Sequence, residues 1–210
     1  GFPAGRKWRI VRDQAAPKLM AVNIDEGEPG TFKDRTYLER DPHRFLEGML
    51  VAAQVVGIYA CYIYLRDEYH GCRELLEHEI AKLQANPPCK LPLIELRRGA
   101  GAYICGEETA LIESLEGKRG NPRIKPPFPA ISGVWGCPTV VNNVESIAAV
   151  VSIINDGGDE YAKVGIGRST GTKLISASGN LAKPGVYEIE LGLSVEEFIY
   201  SEDYCGGMAN

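Results

Sequence analysis

The chain has 210 residues, of which 44% are hydrophobic and 24% charged, and it carries a formal net charge of −5. This is a folded, globular composition with room for one good-sized core and part of a second unit, and it excludes disorder and a basic nucleic-acid footprint. No apolar run reaches the ~18 residues of a membrane span and no signal peptide opens the chain, so a cytoplasmic protein without direct membrane insertion is expected.

Residues 18–22 (KLMAV) form a short apolar run, the pattern of a buried strand. A polar, turn-rich loop follows over residues 23–30. Asp41-Pro42 starts a helix, with Asp as N-cap and Pro at the first helical position. Phe45, Leu46, Met49, Leu50, Ala53 and Val56 then recur at helical spacing, and Gly57 is a natural stop. Residues 60–65 (ACYIYL) have strand composition, residues 70–85 read as an amphipathic helix ended by Asn86-Pro87-Pro88, and residues 93–96 as another strand. This alternation is the rhythm of a parallel α/β sheet, whose right-handed crossovers place the loops after the strands on one ligand-binding edge.

The third of those loops is glycine-rich (residues 99–106), and a helix from about Glu107 to Gly117 follows it. A basic, proline-rich loop covers residues 118–138, and a helix over residues 144–155 closes the first unit. Residues 173–178 and 185–190 look like strands and 195–200 like a helix start. The expected organisation is a first domain over 1–156, a Gly-containing linker over 157–171 and a partial α+β domain over 172–210. The chain opens on Gly1 rather than Met and stops in a turn-like stretch, which is the look of a piece of a longer protein.

The six cysteines (Cys61, Cys72, Cys89, Cys105, Cys137 and Cys205) contain no CxxC pair, so no metal-cluster spacing is visible and reduced packing thiols are expected. His43, His70 and His78 are isolated, and no nucleophile–base arrangement is discernible. Glycines 99, 101 and 106 match neither GxGxxG nor a P-loop, but a loop that opens a helix after a strand suits an anionic ligand as well as a plain tight turn. Glu107 and Glu108 in the following first turn either compensate the helix dipole or bond ribose hydroxyls, which would favour NAD over NADP. Asp25, Glu26 and Glu28 make a solvated acidic turn or a second polar wall. Lys118, Arg119, Arg123 and Lys125 suit a solvated loop or a pyrophosphate, with Phe128 able to stack on a ring. Asn142 and Asn143 read as helix caps or as amides offered to a polar ring edge.

Together these segments resemble a known family. Residues 99–114 (GAGAYICGEETALIES) are similar, essentially position for position, to the signature of the NADH-binding flavoprotein subunits of respiratory complex I, NAD-reducing hydrogenases and NAD-dependent formate dehydrogenases. The flanks GFPAGRKW, NIDEGEPGTFKDR, EGKRGNPRIKPPFPA and PTVVNNVES agree, and the resemblance runs to about residue 200. It implies a Rossmann-like FMN domain followed by the start of a ubiquitin-like β-grasp domain. It implies an NADH-dehydrogenase-type oxidoreductase that moves a hydride between NAD(H) and FMN, then passes electrons singly to iron–sulfur clusters of partner subunits, a small 2Fe-2S subunit and a large catalytic one.

By resemblance, Lys7, Asn23, Asp25, Glu26, Tyr103, Gly106, Glu107, Asn142, Asn143 and Ser146 contact FMN. Phe2, Lys7, Glu28, Glu108, Lys125 and Phe128 line the NADH pocket. No protein acid or base is needed, because the two cofactors carry the chemistry. Family members also hold a 4Fe-4S cluster in a carboxy-terminal region, for which the six cysteines here offer no substitute. Ile10 and Ser146 depart from the aromatic and Thr frequent in relatives. Residues 64–73 (YLRDEYHGCR) and 203–208 (DYCGGM) tilt the resemblance toward the formate dehydrogenase beta subunit, whereas residues 126–146 look more like complex I. A non-catalytic flavin- or nucleotide-binding scaffold is the alternative of a different class.

Overall fold

The computed structural model describes residues 3–209. In chain order its elements are α1 (Ala4–Arg12), β1 (Leu19–Ile24), α2 (Lys33–Arg40), α3 (Pro42–Val56), β2 (Ala60–Leu65), α4 (His70–Ala85), β3 (Leu93–Arg98), a 3-10 turn (Tyr103–Gly106), α5 (Glu108–Leu115), a second 3-10 turn (Val134–Gly136), β4 (Thr139–Asn143), α6 (Val144–Asp156), α7 (Gly158–Tyr161), β5 (Gly165–Ile166), β6 (Ser169–Thr170), β7 (Thr172–Ala177), β8 (Gly185–Glu190) and α8 (Val195–Tyr200).

Strands β1 to β4 form one parallel sheet in the order β3-β2-β1-β4. The unbroken apolar runs of β1 and β2 follow from burial on both faces. Met20, Val22, Ile24, Cys61, Ile63 and Leu65 point to the face covered by α3, α4 and α6. Leu19, Ala21, Tyr62, Tyr64 and Val141 point to the opposite face, which α5 covers with Leu111, Ile112 and Leu115. The architecture is therefore the expected α/β, Rossmann-like fold. Helices α3 and α6 cross at Gly48, where a Cβ would collide with the Ile147 carbonyl oxygen. The Asp41 side chain caps α3 by accepting from Arg44 N–H at 3.1 Å, and Gly57 ends the helix at φ 76°.

Three first-unit elements lie outside the sequence expectation. Helix α2 has only Leu38 and Asp34 buried, so it carries no apolar period to read. Helix α1 lies before the first expected strand. Strand β4 is five residues long and wedged between Pro138 and the α6 cap, yet it completes the sheet. Residues 157–171, expected as a linker, hold the single turn α7 and the β5–β6 hairpin.

Strands β7 and β8 pair antiparallel, and α8 follows them. Tyr187 packs edge-on against Phe198 and Tyr204, which meet each other at a tilt, beside the buried Cys205. Cys61, Cys72 and Cys105 are buried too, and all six thiols are free.

Candidate functional site

The strand order reverses direction between β1 and β4. In such sheets ligands bind outside the carboxyl ends of the strands at that switch point. The register puts Asn23 opposite Asn143 there, and the glycine loop after β3 closes over them through a hydrogen bond from Asn23 Nδ2 to the Gly106 carbonyl at 2.9 Å. Helix α1 is tied to the same end of β4. Trp8 Nε1 donates to Asn142 Oδ1 at 2.8 Å and Lys7 Nζ to the Val141 carbonyl at 3.2 Å. The role of Trp8 is not legible in the sequence, because its partner lies 134 residues away.

Asp25 follows β1 and is only 8% exposed. Its Oδ2 is buried without a hydrogen-bond partner. Burial, against the attraction of Arg66 and with repulsion from Glu68 and Glu28, raises its pKa to about 6. Glu26 beside it is fully used by the protein. Its Oε1 accepts from Asp34 N–H at 2.9 Å, and its Oε2 from Arg35 N–H at 3.2 Å and Tyr69 OH at 2.9 Å, so it caps α2. Burial and this carboxylate push the Tyr69 hydroxyl well up. Arg66 donates to the Glu26 carbonyl. Glu28 is exposed, and Gly27 packs under Tyr103, where a Cβ would meet the ring at 3.2 Å.

On the other side, Glu107 caps α5. Its Oε2 accepts from Thr109 N–H at 2.8 Å, Ala110 N–H at 3.0 Å and the Thr109 hydroxyl at 2.5 Å, and Lys125 reaches its Oε1 at 3.0 Å. Burial works against the charge, but these donors outweigh it and bring the Glu107 pKa down to about 2. Glu108 lies between two cations, Lys7 at 3.5 Å and Lys125 at 3.4 Å. A cavity of about 520 Å³ opens beside this trio, lined by Lys7, Ile10, Glu108, Phe128, Ile131 and Val141. Phe128 is 57% exposed, a large ring presented to the opening.

The structure thus gathers Lys7, Asn23, Asp25, Gly106, Glu107, Glu108, Asn142, Lys125 and Phe128 at one end of the sheet. Asn143 is there too, but its amide is engaged: Nδ2 donates to Asp34 Oδ2 at 2.7 Å and to the Asn23 carbonyl at 3.2 Å, and Oδ1 accepts from Glu145 N–H at 2.9 Å. Ser146 is exposed and lines, together with Lys33 and Asn143, a second cavity on the side of β7. Phe2 lies outside the described residues. Of the four basic-loop residues, Lys125 alone reaches the Glu107–Glu108 pair. Arg123 is held by Glu113 at 2.5 Å and Glu116 at 2.6 Å, and Lys118 by Glu116 at 2.7 Å, so these two pin the loop to α5.

A profile of the Nuo51 FMN-binding domain matches residues 1–152. The chain is 46% identical over 216 residues to one of the NADH-quinone oxidoreductase subunits of Rhizobium meliloti, an alignment that takes in 99% of this chain and 51% of that protein. It is 45% identical over 209 residues to the alpha subunit of the NAD-reducing hydrogenase HoxS of Cupriavidus necator, with 95% of this chain and 35% of that protein covered. A crystal structure of NAD+-reducing NiFe-hydrogenase in the H2-reduced state superposes with a TM-score of 0.89 at 44% identity, covering 94% of this chain and 35% of that one. The chain spans about half the length, or less, of the curated relatives it matches. It belongs to the Nuo51 FMN-binding domain family.

Proposed function

We propose, on the premise of that membership, that this chain is the flavin- and NADH-binding part of an NADH-dehydrogenase-type oxidoreductase subunit. The observation that carries the reading is Asp25. A buried carboxylate oxygen with no donor is costly unless a ligand supplies one, and a ribityl hydroxyl of FMN at the switch point is such a donor. Open space beyond Gly101, which sits at φ 66°, leaves room for a close approach.

In this reading Asn23, Asp25, Glu26, Tyr103, Gly106, Glu107, Asn142, Asn143 and Ser146 surround the flavin, and Lys7 serves both ligands. Glu28, Glu108, Lys125, Phe128 and Phe2 form the NADH side. Phe128 and the apolar lining of the cavity exclude water and give the nicotinamide a surface to stack on. Glu108 accepts ribose hydroxyls and repels a 2′-phosphate, so the nucleotide is NAD(H). Bound FMN supplies the hydride acceptor and releases electrons one at a time.

In the whole subunit the electrons would go to iron–sulfur clusters, a 4Fe-4S cluster carried elsewhere in it and those of a small 2Fe-2S and a large catalytic subunit, on the cytoplasmic side. Among the described residues no helix is long and apolar enough to cross a membrane. The β7–β8 hairpin followed by α8 supports the start of a β-grasp domain. For the parent complex, residues 64–73 and 203–208 favour a formate dehydrogenase beta subunit, while the matched relatives favour complex I or a hydrogenase.

A visible spectrum of the purified protein, before and after anaerobic NADH, tests the reading. Flavin bands that bleach with NADH are expected. A folded protein that takes up no FMN even when it is added would refute it and leave the scaffold alternative.

A further inference from the structure

Glu145 touches both parts of the chain. It lies in the first turn of α6, two residues after the Asn143 cap. Its Oε1 accepts the backbone N–H of Leu174 in β7 at 2.7 Å, and its Oε2 meets Lys173 at 3.3 Å. The same Oε2 meets Lys33 at 2.9 Å. Lys33, 15% exposed at its side chain, binds Asp34 at 2.6 Å and lies 3.5 Å from Asn143 Oδ1. Asp34 in turn holds the Asn143 amide and gives its N–H to Glu26. An unbroken polar chain therefore runs from the β7 backbone to Asn143 and Glu26.

Its charges are mutually dependent. Burial would raise the Glu145 pKa, but the Leu174 N–H and Lys33 prevail and hold it below the usual carboxylate range. Burial would lower that of Lys33, but Asp34 and Glu145 prevail and raise it. Removing one member of such a network leaves the others half-satisfied in a low dielectric. A second bond joins the same two parts, from Phe32 N–H to Ser176 Oγ at 2.9 Å, but it ends in a backbone group.

We propose that Glu145 is a positioning residue: it ties the orientation of Asn143 and Asp34 to the docking of the β7–β8 unit. That this orientation matters to a flavin rests on the function proposed above. Without β7, Glu145 loses its N–H donor and Lys173, and Lys33 is drawn from Asp34 toward the uncompensated carboxylate. Asn143 then loses the fixed partner that sets its amide plane. If Glu145 were purely structural, its loss would lower stability and leave the β1 end untouched.

The test compares Glu145→Ala, Glu145→Gln and Ser176→Ala in the full-length protein. Two quantities are read: hydrogen exchange of residues 23–26 without FMN, and FMN affinity by quenching of flavin fluorescence. Glu145→Ala is expected to speed exchange at 23–26 and to weaken FMN about tenfold, a typical inter-site coupling. Glu145→Gln, which keeps an acceptor for Leu174 but removes the negative charge facing Lys33, is expected to fall between. Ser176→Ala is expected to change neither quantity. Equal effects of Ser176→Ala and Glu145→Ala would assign the coupling to docking in general and overturn the proposal. Unchanged exchange and unchanged affinity in both Glu145 variants would also overturn it, with the flavin reading intact. An exchange response in a protein that binds no FMN would uphold the positioning role and refute the flavin reading instead.

Discussion

Two acids face each other across the candidate site, and the chain treats them in opposite ways. Glu107, at the start of α5, is surrounded by donors from the first turn of that helix and by Lys125, and its pKa falls to about 2. Asp25, after β1, is more deeply buried, has an oxygen with no donor, and its pKa rises to about 6. The carboxylate of the first already has its donors within the protein. The second keeps a gap in its hydrogen bonding, which the proposed flavin reading fills with a ribityl hydroxyl.

The largest effect that would break this contrast comes from Asp25→Asn. Folded Asp25 keeps its proton up to about pH 6, whereas an unfolded Asp loses it near 3.8, so the ligand-free fold loses stability as pH rises through that window. Asn removes the buried charge. The ligand-free variant is therefore expected to be more stable than the parent at pH 7, on the order of 2 kcal/mol, with the gain vanishing near pH 4. FMN affinity should fall at least tenfold, by loss of a charge-assisted hydrogen bond of about 1.5–3 kcal/mol. Thermal melts at both pH values and an FMN titration check this. A variant destabilised at pH 7 would mean that Asp25 is a structural acid like Glu107.

Glu107→Ala should do the reverse. It removes the α5 cap and is expected to cost about 1–2 kcal/mol by denaturant melt. Because the folded pKa is depressed, the stabilisation from Glu107 is present above about pH 4.5 and lost as pH falls toward about 2. Solvent screening at this partly exposed carboxylate trims the effect. The smallest expected change is in specificity. Glu108→Gln should raise the NADPH-to-NADH ratio of kcat/KM about tenfold, the equivalent of about 1.4 kcal/mol of lost repulsion. An unchanged ratio would remove Glu108 from the nucleotide pocket.

Local chemistry made much of this legible in the sequence. Asp41-Pro42 and Gly57 bound α3 because capping is a property of adjacent residues, and the six consecutive apolar residues of β2 mark a strand buried on both faces. Strand β4 escaped because TVVNN is too short to show a period, and α2 because a buried Asp34 occupies a position where an apolar side chain would have signalled a helix. In the site, the Glu107–Glu108 pair and the amides at 142–143 stand out by type and by their place after a loop or before a helix. Lys33 and Asp34 do not, since their meaning comes from Glu145 and Asn143, more than a hundred residues away. The pairing of Arg123 is hidden for the same reason: its partners, Glu113 of α5 and Glu116 just after it, meet the guanidinium only once the loop has folded back.

The place of β4 beside β1 also sets when the site can exist. The bond from Asn143 Nδ2 to the Asn23 carbonyl spans 120 residues, so the two walls meet only through a contact of high sequence separation, and such contacts form late because loop closure must come first. A growing chain that has completed β1, β2 and β3 already has three adjacent strands and much of its hydrophobic interior, but one edge of β1 is bare. During synthesis at about 5–20 residues per second, that edge stays open until β4 and the start of α6 have been made, and the cleft at the switch point becomes complete only then.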